Sequence, residues 1–204
     1  MGDIYTIPMI ISIITFILST HITPGPTNVI LLSSVITFGY KKTLPFMIAN
    51  IISYLIMVVF VGLGMEMFLS THPDIMSIFK IVGITYLCWM AWKIANSSAN
   101  IDDENSTKTK PFTFTQSLIY PWLNPKAWIV YSSMLSIFIT SPEESLSQML
   151  IILILIFITL VLNSYLWTFG AIVLKHFLKN EKIIKRVNQS MAILLVLSIV
   201  PILI

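Results

Sequence analysis

Apolar residues run along this chain in stretches of roughly twenty, separated by short polar turns. Each stretch suffices to cross a hydrocarbon core about 30 Å thick as a helix. A membrane β-barrel would instead show alternating segments of about ten residues. Six crossings fit the pattern: 4–38, 44–69, 75–92, 112–140, 146–174 and 187–204. The first covers 35 residues, about 52 Å as a straight helix at 1.5 Å per residue. That is too long for one untilted span, so a kink or a projecting end is expected.

Two of the runs are interrupted by helix-breaking residues. The first carries Thr23-Pro24-Gly25-Pro26-Thr27-Asn28, and the fourth carries Tyr120-Pro121-Trp122-Leu123-Asn124-Pro125-Lys126. Aligning Pro26 with Pro125, 99 residues apart, brings Ser33-Ser34 into register with Ser132-Ser133. Hydrocarbon supplies no water to an unpaired backbone group, so a broken span is tolerated where neighbours or a cavity satisfy it. Matching breaks in the two halves of a membrane protein point to a transporter's binding site.

Composition agrees with a membrane location. Hydrophobic residues make up 56% of the 204 and charged residues 10%, whereas soluble domains carry about 25% charged. The mean hydropathy is +0.90. Met1-Gly2-Asp3 lacks the basic start of a secretory signal and no small-residue cleavage site follows, so the first segment is expected to be retained. Met1-Gly2 with Thr6 is a thin match to an acylation signal. Cys88, the single cysteine, permits neither an intrachain disulfide nor a redox pair.

Charge placement sets the expected orientation. Ten of the twelve basic residues (Lys41, Lys42, Lys93, Lys108, Lys110, Lys175, Lys179, Lys182, Lys185 and Arg186) follow the first, third and fifth runs. The opposite ends hold Asp3, Asp74, Glu143 and Glu144, with Glu66 nearby, against Lys80 alone. Basic loops stay cytoplasmic, so both termini are expected outside. The polar stretch 96–111 divides a single transmembrane domain, 1–204, into repeats 1–95 and 112–204. Its composition is that of a linker. One repeat starts from outside and the other from the cytoplasm, which makes the repeat inverted and places both breaks near mid-membrane. The fold class is an all-α integral membrane protein of six helices in two inverted three-helix repeats.

The breaks bring chemistry of their own. Each proline withholds an amide and clashes with the carbonyl four residues earlier. Pro24 and Pro26 should free the carbonyls of Thr20 and Ile22, and Pro121 and Pro125 those of Ser117 and Pro121. The half-helix after each break presents unpaired amides and a positive dipole end. Carbonyls suit an ammonium and a helix start suits a carboxylate, so a zwitterionic amino acid would find both. Thr23, Thr27, Asn28 and Asn124 add hydroxyls and amides beside the breaks, and Asn50 and Asn163 are amides inside other apolar runs. For each asparagine the competing reading is an interhelical hydrogen bond.

Lys126 stands near mid-membrane, where a lysine should face a cavity or a partner. A substrate carboxylate and a backbone contact at the helix start both remain open for it. His21 could titrate as a relay, although a lone histidine is commonly just hydrogen-bonded. Trp89, Trp92, Trp122, Trp128 and Trp167 read as interface anchors and packing. No catalytic set, phosphate-cradling loop or metal constellation is readable, and His72 and His176 fall near opposite ends of the spans. An enzyme, a resident cofactor and a nucleic-acid partner are therefore not expected.

These residues resemble the LysE/RhtB family of bacterial amino-acid exporters. Thr23–Asn28 is similar to that family's Pro-Gly-Pro-Asn signature, and Gly39–Leu44 to the glycine-basic turn after it. Gly83–Lys93, Asn124–Trp128 and Asn163–Gly170 resemble its third, fourth and fifth crossings. The resemblance implies export of amino acids from the cytoplasm across a bacterial inner membrane, driven by an ion gradient, usually of protons. The thiol–disulfide branch of the wider superfamily needs paired cysteines, which this chain lacks. Thr27 stands where members usually have the signature's first asparagine, and Asn50 where they often have small residues. The third and fifth crossings look most like members exporting small neutral amino acids such as cysteine or O-acetylserine.

The expected function is a proton-coupled exporter working by alternating access, in contact with the bilayer and compatible with a homo-oligomer. Its candidate substrate-binding residues are Thr23, Pro24, Gly25, Pro26, Thr27, Asn28, Asn50, Asn124, Pro125, Lys126 and Asn163. The alternatives are an ion or metal transporter on the same scaffold and a non-transporting membrane enzyme or assembly factor.

Overall fold

A computed structural model describes residues 4–23, 25–65, 73–97, 110–141, 143–178 and 180–197. Pro24, Glu66, His72, Lys108, Lys179 and most of the 96–111 linker lie outside them. All regular structure among the described residues is helical. In chain order the helices are α1 (Ile7–Ile22), α2 (Pro26–Phe38), α3 (Tyr40–Phe60), α4 (Pro73–Ala95), α5 (Phe114–Ile119), α6 (Pro125–Phe138), α7 (Ser145–Phe177) and α8 (Glu181–Leu197). A π-type turn, Val61–Met65, continues α3, and a 3-10 turn, Tyr120–Leu123, joins α5 to α6.

Both predicted breaks are present, and both fall where proline dictates. Pro26 and Pro125 are the first residues of α2 and α6, the position where a missing amide costs nothing. The α1–α2 pair is bent by 55°, which accounts for a run too long to cross straight. Between α2 and α3 the chain turns on Gly39 alone, whose φ of 83° is in the range glycine tolerates. Thr43 donates to the Gly39 carbonyl (2.9 Å) and shares a hydrogen bond with Ser34 (2.9 Å), fixing the corner. Before the second break, Thr113 and Gln116 cap α5 reciprocally.

The buried residues form two clusters on either side of the breaks. One joins α2 and the start of α3 to α4 and α8, around Ile30, Ile36, Leu87, Met90 and Leu195. The other joins α1 and the later part of α3 to α6 and α7, around Ile13, Ile17, Met57, Met134 and Ile156. The outward faces are also apolar: Leu150, Ile154, Phe157, Leu166 and Phe169 of α7 are exposed. A soluble monomer rarely shows so continuous an apolar surface. Two helices, Tyr40–Gly64 and Ser145–Phe177, are each long and apolar enough to span a membrane, and the bent α1–α2 pair makes a third if taken as one span. The apolar part of α4, Ile81–Ala95, is shorter.

Polar side chains inside the helix bundle are mostly joined to one another. Asn188 of α8 accepts from Ser33 (2.9 Å) and donates to Thr37 (2.9 Å) and to the Ser97 carbonyl (3.1 Å). Ser33 and Ser34 are thus structural, and Ser132 and Ser133, their partners in the sequence alignment, are half-buried. The matched serine pairs do not share an environment.

Candidate functional site

A cavity opens where the two breaks meet. Thr20, His21 and Thr23 from the end of α1 line one side, with Gly25, Pro26, Thr27 and Asn28 from the start of α2. Asn124, Lys126, Ala127, Val130 and Tyr131 face them from the second break and α6. Tyr54 of α3 and Leu160 and Asn163 of α7 complete the wall. About 50 Å³ is open to water, where a single water needs roughly 10–15 Å³. This is room for a few non-hydrogen atoms.

Each break is stitched by its asparagine. Asn28 donates to the carbonyls of His21 (2.6 Å) and Thr23 (3.0 Å) and accepts from Asn163 (2.9 Å). Asn124 donates to the Tyr120 hydroxyl (2.9 Å) and accepts from the Lys126 amide (3.2 Å). The freed carbonyls expected from the prolines are in part taken. Thr23 donates to the Thr20 carbonyl (2.9 Å), and the Asn124 amide to that of Pro121 (3.1 Å). Backbone carbonyls are therefore a poorer ammonium site than the sequence suggested, because the Thr23 hydroxyl and the Asn124 backbone amide claim two of them first.

The two helix starts differ in a way that matters for an anion. Asn124 caps α6 with its own side chain, whereas Gly25 at the start of α2 has no side chain to do so. The uncapped start of α2 leaves amides and a positive dipole end available. Lys126 reaches toward it and donates to Thr23 Oγ1 (3.0 Å). A Cβ placed on Gly25 would lie 3.1 Å from the Lys126 ammonium nitrogen. The φ of Gly25, −158°, is ordinary extended backbone, so glycine serves here for close approach. Among the described lining residues there is one lysine ammonium and no carboxylate.

Two tyrosines that the sequence reading did not single out, Tyr54 and Tyr131, line the cavity, and Tyr120 of the second break is tied to it through Thr27. Thr27 Oγ1 shares hydrogen bonds with the hydroxyls of Tyr54 (2.6 Å) and Tyr120 (3.0 Å). Tyr131 meets Tyr54 edge-on with ring centroids 5.6 Å apart, and its hydroxyl lies 3.2 Å from His21 Nε2. The other ring nitrogen of His21 is buried without a hydrogen-bond partner. Tyrosine spacing carried no signal, since aromatics in apolar runs read as packing; Tyr54, one turn after Asn50, was the available hint.

Of the candidate residues, Thr23, Gly25, Pro26, Thr27, Asn28, Asn124, Lys126 and Asn163 line this cavity. Asn50 lines a smaller cavity beside it. Pro125 starts α6 outside the lining, and Pro24 is not among the described residues. Trp122 and Trp128 pack edge-to-face, with the Trp128 indole donating to the Trp122 carbonyl (2.8 Å), and do not line it.

Comparison with known proteins identifies the family of the chain. A family model described as LysE type translocator matches residues 18–201. The chain is 30% identical to a cysteine/O-acetylserine efflux protein of Escherichia coli O157:H7 over 134 residues, 65% of this chain and 67% of that protein. It is 28% identical to a protein of the same description from Salmonella typhimurium strain LT2 over 162 residues, 78% of this chain and 81% of that one. No solved structure matches it significantly.

Proposed function

The chain belongs to the LysE type translocator family, a family of membrane transporters and not of enzymes, and from that premise we propose that it exports small neutral amino acids or their close derivatives. Export runs from the cytoplasm across a bacterial inner membrane. The single observation that carries the substrate class is the cavity's charge: the Lys126 ammonium beside the uncapped start of α2, with no carboxylate among the described lining residues. A carboxylate fits between them, accepting from Lys126 and from the amides of the helix start. A second positive charge on the substrate would meet Lys126 with nothing to offset it, which disfavours basic amino acids and metal ions alike. The cavity's small volume and the efflux described for the relatives favour the same class.

The proposed architecture is two inverted repeats, 1–95 and 112–204, of three crossings each, with both termini outside. Reciprocal packing supports it: α1 lies against α7 of the other half, α5 lies against α3, and the third helices α4 and α8 pack together. Substrate would then be exposed to either side as the repeats rock around the breaks. Proton coupling follows the family's usual source of energy, and His21 is the titratable side chain at the cavity besides Lys126 and the tyrosines. Thr23, Gly25, Pro26, Thr27 and Lys126 would contact the substrate; Asn28, Asn124 and Pro125 would hold the breaks in shape.

The test is efflux of labelled amino acids from cells loaded with dipeptides, with and without the chain. Expression should raise the efflux of, and tolerance to, at least one small neutral amino acid. If neither changes for any amino acid, the reading is wrong.

A further inference from the structure

Behind the wall formed by Thr27 and Tyr54 lies the second cavity, between α2, α3 and α7. It offers about 20 Å³ to water, space for one or two non-hydrogen atoms on the scale where one water takes roughly 10–15 Å³. Asn50 projects into it with both carboxamide atoms buried and without a hydrogen-bond partner. The Oδ1 atom of Asn163 is likewise buried and unpartnered. Both side chains are more than nine-tenths buried, at 4% and 6% exposure. Leaving a buried polar group without a partner is costly, so three such atoms around one void call for something that fills it.

We propose that Asn50 and Asn163 form the side-chain subsite of the transported amino acid, which takes the one hydrogen-bonding atom at the tip of a one-carbon side chain, a hydroxyl or a thiol. This rests on the amino-acid reading of the larger cavity and adds to it the part of the substrate that is recognised. Thr27, Asn28, Tyr54, Leu160 and Asn163 line both cavities, so a molecule held by its carboxylate at Lys126 has this subsite across a shared wall. The void presents a donor, Asn50 Nδ2, and two acceptors, the Oδ1 atoms of Asn50 and Asn163. A hydroxyl both donates and accepts and can satisfy such a mixed set. A bare cation would leave the amide donor facing a positive charge, and no carboxylate stands among the described lining residues to neutralise it. Because both atoms of the Asn50 amide are free, the complement is the same whichever way the amide is turned.

The probes are L-serine, L-cysteine and L-alanine, compared as competitors of efflux and as exported substrates. In the unmodified protein, serine or cysteine should outcompete alanine by tenfold or more, because a site built around unpaired polar groups rejects the analogue that lacks the partner. Asn50→Leu should remove that preference, bringing serine and cysteine to within about twofold of alanine as competitors, with accumulation of the variant in the membrane and a single symmetric elution peak in detergent reporting that it folds. If Asn50→Leu does not accumulate in the membrane, Asn50→Ala is scored in the same way. A preference that survives loss of the carboxamide, or no preference in the unmodified protein, overturns the subsite and leaves amino-acid export standing. Absence of export of every amino acid overturns both.

Discussion

Lys126 carries the charge of the site, and its role can be separated from its contribution to the helix. Its amide is held by Asn124 and its ammonium nitrogen by Thr23; substitution by glutamine keeps a donor near Thr23 and removes the charge. A charge-assisted hydrogen bond is worth about 1.5–3 kcal/mol, so Lys126→Gln should weaken apparent affinity for neutral amino acids about 10- to 150-fold. Transport by proteoliposomes at equal protein content measures this; an unchanged KM would show that the carboxylate sits elsewhere. Thr27 acts differently. Its hydroxyl joins Tyr54 and Tyr120 across the two halves, and Thr27→Val removes that shared partner from two buried hydroxyls at a cost of about 1 kcal/mol. That variant should unfold at lower temperature in detergent, whereas Lys126→Gln should not. At this scale the sequence was informative about charge and poor about hydrogen-bond economy. Lys126 was legible because a lysine in an apolar run is expensive. That Asn28 would spend its amide on His21 and Thr23 was not, because it depends on where the broken backbone turns.

At the scale of elements, the two proline-rich breaks were legible in the sequence, and the half-helices after them begin at Pro26 and Pro125. The reason is local: proline is tolerated at the first helical position and nowhere later without cost. The serine pairs seven residues on looked equally informative in sequence, yet Ser33 and Ser34 are tied to Asn188 and Thr43. Repeated spacing records a shared helical register, and the neighbours that decide each residue's role come from elsewhere in the chain. One such neighbour is Gly83 of α4, which packs on the second break. A Cβ there would stand 2.5 Å from the Leu123 carbonyl oxygen, a backbone atom that cannot swing aside as a side chain would. Gly83→Ala should therefore push α4 away from the 3-10 turn and cost about 1–3 kcal/mol, as overpacking generally does. Thermal unfolding of the purified protein checks it; a stability equal to that of the unmodified chain would show that the 3-10 turn yields freely.

For the whole molecule the decisive question is whether the halves are inverted. Lys41 and Lys42 in the first turn of α3, Lys93 at the end of α4 and Lys175, Lys182, Lys185 and Arg186 around the α7–α8 junction would all lie on the cytoplasmic side, and the acidic pair Glu143-Glu144 between α6 and α7 on the other. Under that arrangement the breaks enter the membrane from opposite sides, and rocking of the repeats exposes the cavity alternately. Two features make the test direct. Cys88 is the single cysteine and is exposed on α4, so Cys88→Ser gives a cysteine-free background with little cost to packing. Lys42 and Lys182 then provide positions on the expected inner side and Glu144 one on the expected outer side. With a membrane-impermeant maleimide applied to intact cells, Glu144→Cys should label, and Lys42→Cys and Lys182→Cys should label only after the membrane is opened. Labelling of Lys42→Cys and Glu144→Cys from the same side would place an even number of crossings between them. The two repeats would then be parallel, and the inverted architecture proposed for the two breaks would be overturned.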